Sequence, residues 1–188
     1  MDDRLIDSVS RLRQGGVIAC ATETLFGLLA DAYSEGAVAE VVAIKQRGPE
    51  AIALLAPDLA SVELLGELDE RARVLAARYW PGPLTLVLRA RARLPAALVR
   101  AGTIGVRIPG ASPALDLVRA FGGPLTATSC NPTGLPAART AEEARAYFGD
   151  RLAAVLPDAA PGGLPSTIVD ATGDVLRVLR PGAVSIEI

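Results

Sequence analysis

The sequence predicts an α/β protein, a twisted mixed β-sheet flanked by helices, forming a single domain over residues 1–188. Three observations carry this. Short apolar runs of strand type alternate with capped helical stretches through most of the chain. Two strand-like runs around Thr172-Gly173 close it with a hairpin, so the sheet is not purely parallel. Hydrophobic residues make up 51% of the chain and charged residues 21%, which suffices for a packed core. No repeat, low-complexity tract or Pro/Ser-rich linker divides it.

The elements follow in order. Residues 3–13 place Leu5, Val9 and Leu12 at helical spacing, and Gly15-Gly16 ends the helix. VIACA (17–21) is a buried strand, and TETLFGLLADA reads as a loop or turn containing Gly27. Ser34 caps a helix with Val38, Val41 and Val42 on one face, ending near Gly48, so Lys45 and Arg47 fall in its last turn and the loop beyond. AIALLA (51–56) is a second apolar strand. Ser61 is the expected cap of another helix, and DERARVLAARYW (69–80) is a further one stopped by Pro81. LTLVLRA (84–90) and TIGVRIP (103–109) read as strands. In SPALDLVRAFGG, Ser112 caps a helix with Pro113 at its first position. PLTATSCN (124–131) is a strand running into a loop, and TAEE (140–143) is a capping box.

Composition narrows the chemistry. There is no histidine, which removes Ser-His-Asp and Cys-His catalysis, imidazole bases and most zinc sites. Cys20 and Cys130 make no CxxC pair and read as reduced core residues of a cytoplasmic protein. The N-terminal MDDRLIDSVSRLRQGG lacks the apolar core of a secretory signal, and no apolar run spans a membrane. Of 19 basic residues, Lys45 alone is lysine. Under the codon bias of a GC-rich genome, a surviving lysine marks either chance or a need for a compact ammonium. Residues 71–115 hold eight arginines and no acid, and Arg89, Arg91 and Arg93 alternate on one face. That ribbon is either an anion- or RNA-facing surface or a solvated edge kept from pairing. A net charge of −2 does not mark a strong nucleic-acid binder.

Four polar stretches sit beside strand ends or glycines: ATETLFG (21–27), IKQRG (44–48), TSCNPTG (128–134), and PSTIVD with LRPG (165–170, 179–182). Each has a plain alternative. Thr22, Glu23 and Thr24 suit capping, Ser129 and Asn131 suit a turn, and Arg180-Pro181-Gly182 suits a strand terminator. In order and spacing, however, TETLFG, KxR, YWPGPLTLVL, VRIP, SxN, STIVD and LRPG resemble the L-threonylcarbamoyladenylate synthases, the YrdC-like domain, over roughly residues 10–183. The length fits the short, single-domain form.

The resemblance implies the YrdC-like fold and synthesis of threonylcarbamoyl-AMP from L-threonine, bicarbonate or CO2 and ATP, with release of pyrophosphate. A downstream complex then transfers the group to the adenosine next to the anticodon in tRNA, so contact with tRNA is weak or indirect. By the same resemblance Lys45 and Arg47 are catalytic and approach the ATP phosphates. Thr103, Asn131, Thr140 and Arg180 lie on the nucleotide side, and Thr24, Arg107, Ser129 and Ser166 on the threonine side. Magnesium is expected with the triphosphate, held mainly by phosphates, with no protein metal site. The sequence departs from the family at Ala21, where proline is usual, and at Ala51, Ile52 and Ala56, where polar residues or Pro/Gly are common. The alternatives are a YrdC-like carbamoyltransferase and a catalytically weakened RNA-binding or regulatory paralogue.

Overall fold

The computed structural model describes residues 2–46 and 52–186. Its strands are β1 (Ile18–Ala21), β2 (Phe26–Leu29), β3 (Ala53–Leu55), β4 (Leu84–Arg89), β5 (Thr103–Arg107), β6 (Leu125–Ser129), β7 (Ala154–Val155), β8 (Thr167–Asp170) and β9 (Arg177–Arg180). The helices are α1 (Asp3–Arg13), α2 (Glu35–Lys45), α3 (Leu59–Leu65), α4 (Glu70–Tyr79), α5 (Pro113–Phe121) and α6 (Ala141–Phe148). The strands form a nine-stranded sheet in the order β7-β1-β2-β6-β3-β5-β4-β8-β9. Pairs β1–β7, β3–β5 and β4–β8 are parallel and the other five antiparallel, so the sheet is mixed as expected.

Local chemistry sets most of the helix starts. The side chains of Asp2, Ser34, Asp69, Ser112 and Thr140 each accept a backbone N–H of the first turn. α3 differs from the expectation. Its cap is Asp58, whose Oδ1 accepts the Ser61 N–H at 2.8 Å, so Ser61 is the capped residue and not the cap. That bond holds the Asp58 carboxyl below the usual range. α2 stops at Lys45, earlier than Gly48, with Gln46 in the left-handed region at φ 48°.

Two strands escaped the sequence reading. Phe26–Leu29 is β2 and not loop, because the turn is confined to residues 22–25, where Thr22 Oγ1 donates to the Leu25 carbonyl at 2.7 Å. Gly27 is its centre, and a Cβ there would come within 3.2 Å of Leu29 Cδ1. β7 is two residues long and exists only by pairing with β1.

One face of the sheet carries Leu28, Leu54, Leu86 and Val106, all fully buried. Helix α1 packs on α5, α5 and α6 on β1, and α4 on β4. Ile52 and Ala56 are fully buried core residues, and the Ala56 N–H donates to the Arg107 carbonyl at 2.9 Å. Among the described residues no helix is long and apolar enough to cross a membrane.

Two motif glycines are dictated by close backbone approach. A Cβ at Gly82 of WPGP would overlap the Tyr79 carbonyl oxygen, and one at Gly182 of LRPG would overlap the Pro165 carbonyl. Gly82→Ala should therefore lower stability by about 1–3 kcal/mol, read by thermal or denaturant unfolding. Cys20 and Cys130 are both free and buried. Burial pushes the Cys20 thiol well up and the Cys130 thiol to about 12, the latter eased slightly by the charge of Lys45. Neither should react with a thiol reagent at neutral pH until denaturant is added, and prompt labelling of the native chain would contradict this packing.

Candidate active site

Residues paired across adjacent strands share a face of the sheet. The face opposite the leucine-rich core carries Gly27↔Ser129, Ala53↔Ala127, Leu55↔Arg107, Thr85↔Ile168 and Ile168↔Arg180. All of these line one cavity of about 520 Å³. Its floor is wide because Gly27, Ala53 and Ala127 are small. Each of the four polar stretches singled out in the sequence contributes at least one residue to its lining.

Lys45 enters from the end of α2 and is 4% exposed. Its Nζ donates to the Ser129 carbonyl at 2.8 Å, the Asn131 carbonyl at 2.7 Å and Asn131 Oδ1 at 2.8 Å. Ser129 Oγ donates to Asn131 Oδ1 at 2.5 Å, and Thr133 Oγ1 donates to the Lys45 carbonyl at 3.0 Å. The ammonium thus gathers the strand end and the loop after it around a single point charge. A planar guanidinium cannot present its donors to three oxygens so close around one atom, which favours the compact-ammonium reading of the lone lysine.

Arg107 ends β5 with its side chain 8% exposed, and Nη1 donates to Glu23 Oε1 at 2.6 Å, the Glu23 side chain being 13% exposed. Burial draws the guanidinium's pKa down, the Glu23 charge opposes that, and Arg180 adds a like charge. Arg180 Nη2 donates to the Ser166 carbonyl at 2.8 Å, and the Ser166 and Thr85 hydroxyls meet at 2.9 Å. Ala183 N–H donates to the Pro165 carbonyl at 2.9 Å, so LRPG holds PST against the cavity. Thr24 also lines the cavity, beside the Thr22 hydroxyl at 3.1 Å.

The structure therefore brings together Thr24, Lys45, Arg107, Ser129, Asn131, Ser166 and Arg180. Thr103 and Thr140, expected on the nucleotide side, are not among the residues that line this cavity. Thr103 shares a face with Arg107 but sits four residues along, about 13 Å away, and its hydroxyl donates to the Arg100 carbonyl at 2.7 Å. Thr140 Oγ1 accepts the Glu143 N–H at 3.2 Å as the cap of α6. Arg47 and Ala51 lie outside the described residues. The sequence reading missed Thr85 and Thr133 in the lining, and left Glu23 as a capping candidate and distant partner of Arg107; the one signal for Thr85 was a hydroxyl in an otherwise apolar strand. Of the arginine ribbon, Arg89 Nε donates to the Thr172 carbonyl at 3.0 Å and Arg71 to the carbonyls of Gly173 and Asp174, tying down the turn of the last hairpin.

The Sua5_yciO_yrdC family model, described as "Telomere recombination", matches residues 10–182. The chain belongs to this family. Within the Sua5/YciO/YrdC family, a threonylcarbamoyl-AMP synthase of Cellvibrio japonicus is 38% identical over 187 residues, covering 94% of this chain and 96% of that protein. One from Chromohalobacter salexigens is 39% identical over 182 residues, covering 93% and 97%. The crystal structure of P. abyssi Sua5 complexed with L-threonine superposes with a TM-score of 0.91 at 31% identity, covering 95% of this chain. This chain spans about half of that longer one, 54% of it.

Lys45→Ala removes the ammonium that joins the Ser129 carbonyl, the Asn131 carbonyl and Asn131 Oδ1. Stability should fall by about 1–3 kcal/mol, seen as a lower melting temperature, and Lys45→Arg should not restore it. A melting curve unchanged from the wild type would mean that the loop is held by other contacts.

Proposed function

We propose that this chain makes threonylcarbamoyl-AMP from L-threonine, bicarbonate or CO2 and ATP, releasing pyrophosphate, in the cytoplasm. The observation that carries the reading is the lining of the cavity: Lys45, Arg107 and Arg180 with hydroxyls and an amide, on one sheet face. The volume of about 520 Å³ falls in the range of about 300–1,000 Å³ usual for small-molecule sites.

In this reading the unprotonated threonine amine bonds to the carbon of bicarbonate with loss of water, or to CO2 with loss of a proton to solvent, giving an N-carboxylate. One of its oxygens bonds to the α-phosphorus of ATP as the bond from that phosphorus to the bridging oxygen of pyrophosphate breaks. The nucleophile is already an anion, so the protein needs to position two anionic reactants and offset their charge. Arg107 takes the threonine carboxylate, with Thr24, Ser129 and Ser166 beside it. Asn131 and Arg180 serve the nucleotide. Lys45 contributes its charge from beneath the Ser129–Asn131 loop, and Arg47 of the KxR motif is assigned to the phosphates. Among the described residues no three His, Cys, Asp or Glu side chains gather to hold a metal; magnesium would arrive with the triphosphate and supply charge to its oxygens. The product would pass to a downstream transfer complex acting on tRNA.

A carbamoyltransferase reading is weaker, because a carbamoyl group has no carboxylate for Arg107. A weakened paralogue is also less favoured, since Ile52 and Ala56 are ordinary core residues here. The test is pyrophosphate release from ATP. It should require both threonine and bicarbonate and fall to background without threonine; release independent of threonine would defeat the proposal.

A further inference from the structure

Glu23 and Arg107 are joined by one hydrogen bond. Glu23 Oε1 accepts from Nη1 at 2.6 Å, while Oε2 is buried with no partner, the only such side-chain atom among the described residues. A carboxylate and a guanidinium commonly meet fork to fork through two parallel bonds. That arrangement would consume a whole edge of the guanidinium. Here the other donors stay uncommitted. No nitrogen of Arg107 is among the buried atoms without a partner, so these donors are open to the cavity that Arg107 lines. The Glu23 stem is closely packed. A Cβ at Gly110 would lie 3.1 Å from Glu23 Cγ and 3.5 Å from Gly82 Cα. The backbones of WPGP and VRIPG thus meet behind the Glu23 stem, joined by the Gly82 N–H donating to the Ile108 carbonyl at 2.9 Å.

We propose that Glu23 is a positioning residue, which holds Arg107 by a single N–H and leaves the remaining guanidinium donors for a carboxylate entering the cavity. This rests on Arg107 being the receptor for the threonine carboxylate. It accounts for the orphaned oxygen, for Gly110 against the Glu23 stem, and for an acid in the middle of ATET that does not itself line the cavity.

Two measurements on the full chain test it. The first is nitrogen NMR of the guanidinium, assigned through the signals lost in Arg107→Lys. Wild type and Glu23→Gln, which keeps an acceptor oxygen, should show resolved Nη resonances at low temperature, and in Glu23→Ala these should merge. The second is calorimetric titration. L-Threonine should bind Glu23→Ala weaker by about tenfold or more, while ATP binding stays within about twofold. L-Threonine amide, which lacks the carboxylate, should bind all three proteins alike. If Glu23→Ala does not fold, Glu23→Asp serves in its place with the same directions expected. An unchanged guanidinium spectrum, tighter threonine binding, or a parallel loss of threonine and ATP would each overturn the proposal. If the spectra change as expected but wild type binds no threonine, the positioning role stands and the substrate reading fails.

Discussion

A guanidinium carried on a buried strand must meet an anion, and much of this molecule is arranged around that requirement. Arg107 ends β5 in the middle of the sheet, where an uncompensated charge would cost several kcal/mol. No acid is available nearby in sequence, since none occurs between Glu70 and Asp116. The counter-ion comes instead from the turn between β1 and β2, which the Thr22 hydroxyl closes. To deliver it, that turn sits against Gly110 of the VRIPG loop, which in turn lies beside Gly82 of WPGP. Three motifs far apart in sequence are thereby fixed to one another, ATET to VRIPG by the ion pair and VRIPG to WPGP by the Gly82–Ile108 hydrogen bond.

The second cation works by a different geometry. Lys45 is as buried as Arg107, but among the described residues it donates to neutral oxygens of the strand end and loop that follow β6. An ammonium suits such a ring, and a fork suits a carboxylate. The choice between lysine and arginine at these two positions is thus a choice between organising backbone and receiving a planar anion. Between them, the floor of Gly27, Ala53 and Ala127 leaves room that larger side chains on the same alternation would fill.

What the sequence made legible was what local chemistry decides. The helix caps at Ser34, Ser112 and Thr140 were readable because a hydroxyl and an N–H three residues on settle them. Where two capping residues compete, as at Asp58 and Ser61, the earlier carboxylate wins by reaching the later N–H. β2 was hidden because the turn-forming threonines precede it and a glycine lies within it, and β7 because it has no existence apart from β1. At the site, Lys45 and Arg107 stood out as charges in apolar surroundings. Thr103 and Thr140 were placed by family resemblance alone, and their hydroxyls are taken by neighbouring backbone. Glu23's part in the site was invisible as more than a distant partner, because it depends on a partner 84 residues away.

The cavity lining also limits the kind of reaction that fits. Among the described residues, the lining contains no aspartate, glutamate, histidine or cysteine. Its Glu23 neighbour is committed to Arg107, and both thiols of the chain are locked in their protonated form by burial. A nucleophile that had to be deprotonated by the protein would find no base in the lining described. A nucleophile that arrives already anionic needs none. It needs cations to offset its charge and that of a phosphate, and hydroxyls and amides to hold both in line. Lys45, Arg107 and Arg180 with Thr24, Ser129, Asn131 and Ser166 form such a set. A carbamate attacking ATP is a reaction of that kind, and a chain without histidine is compatible with it.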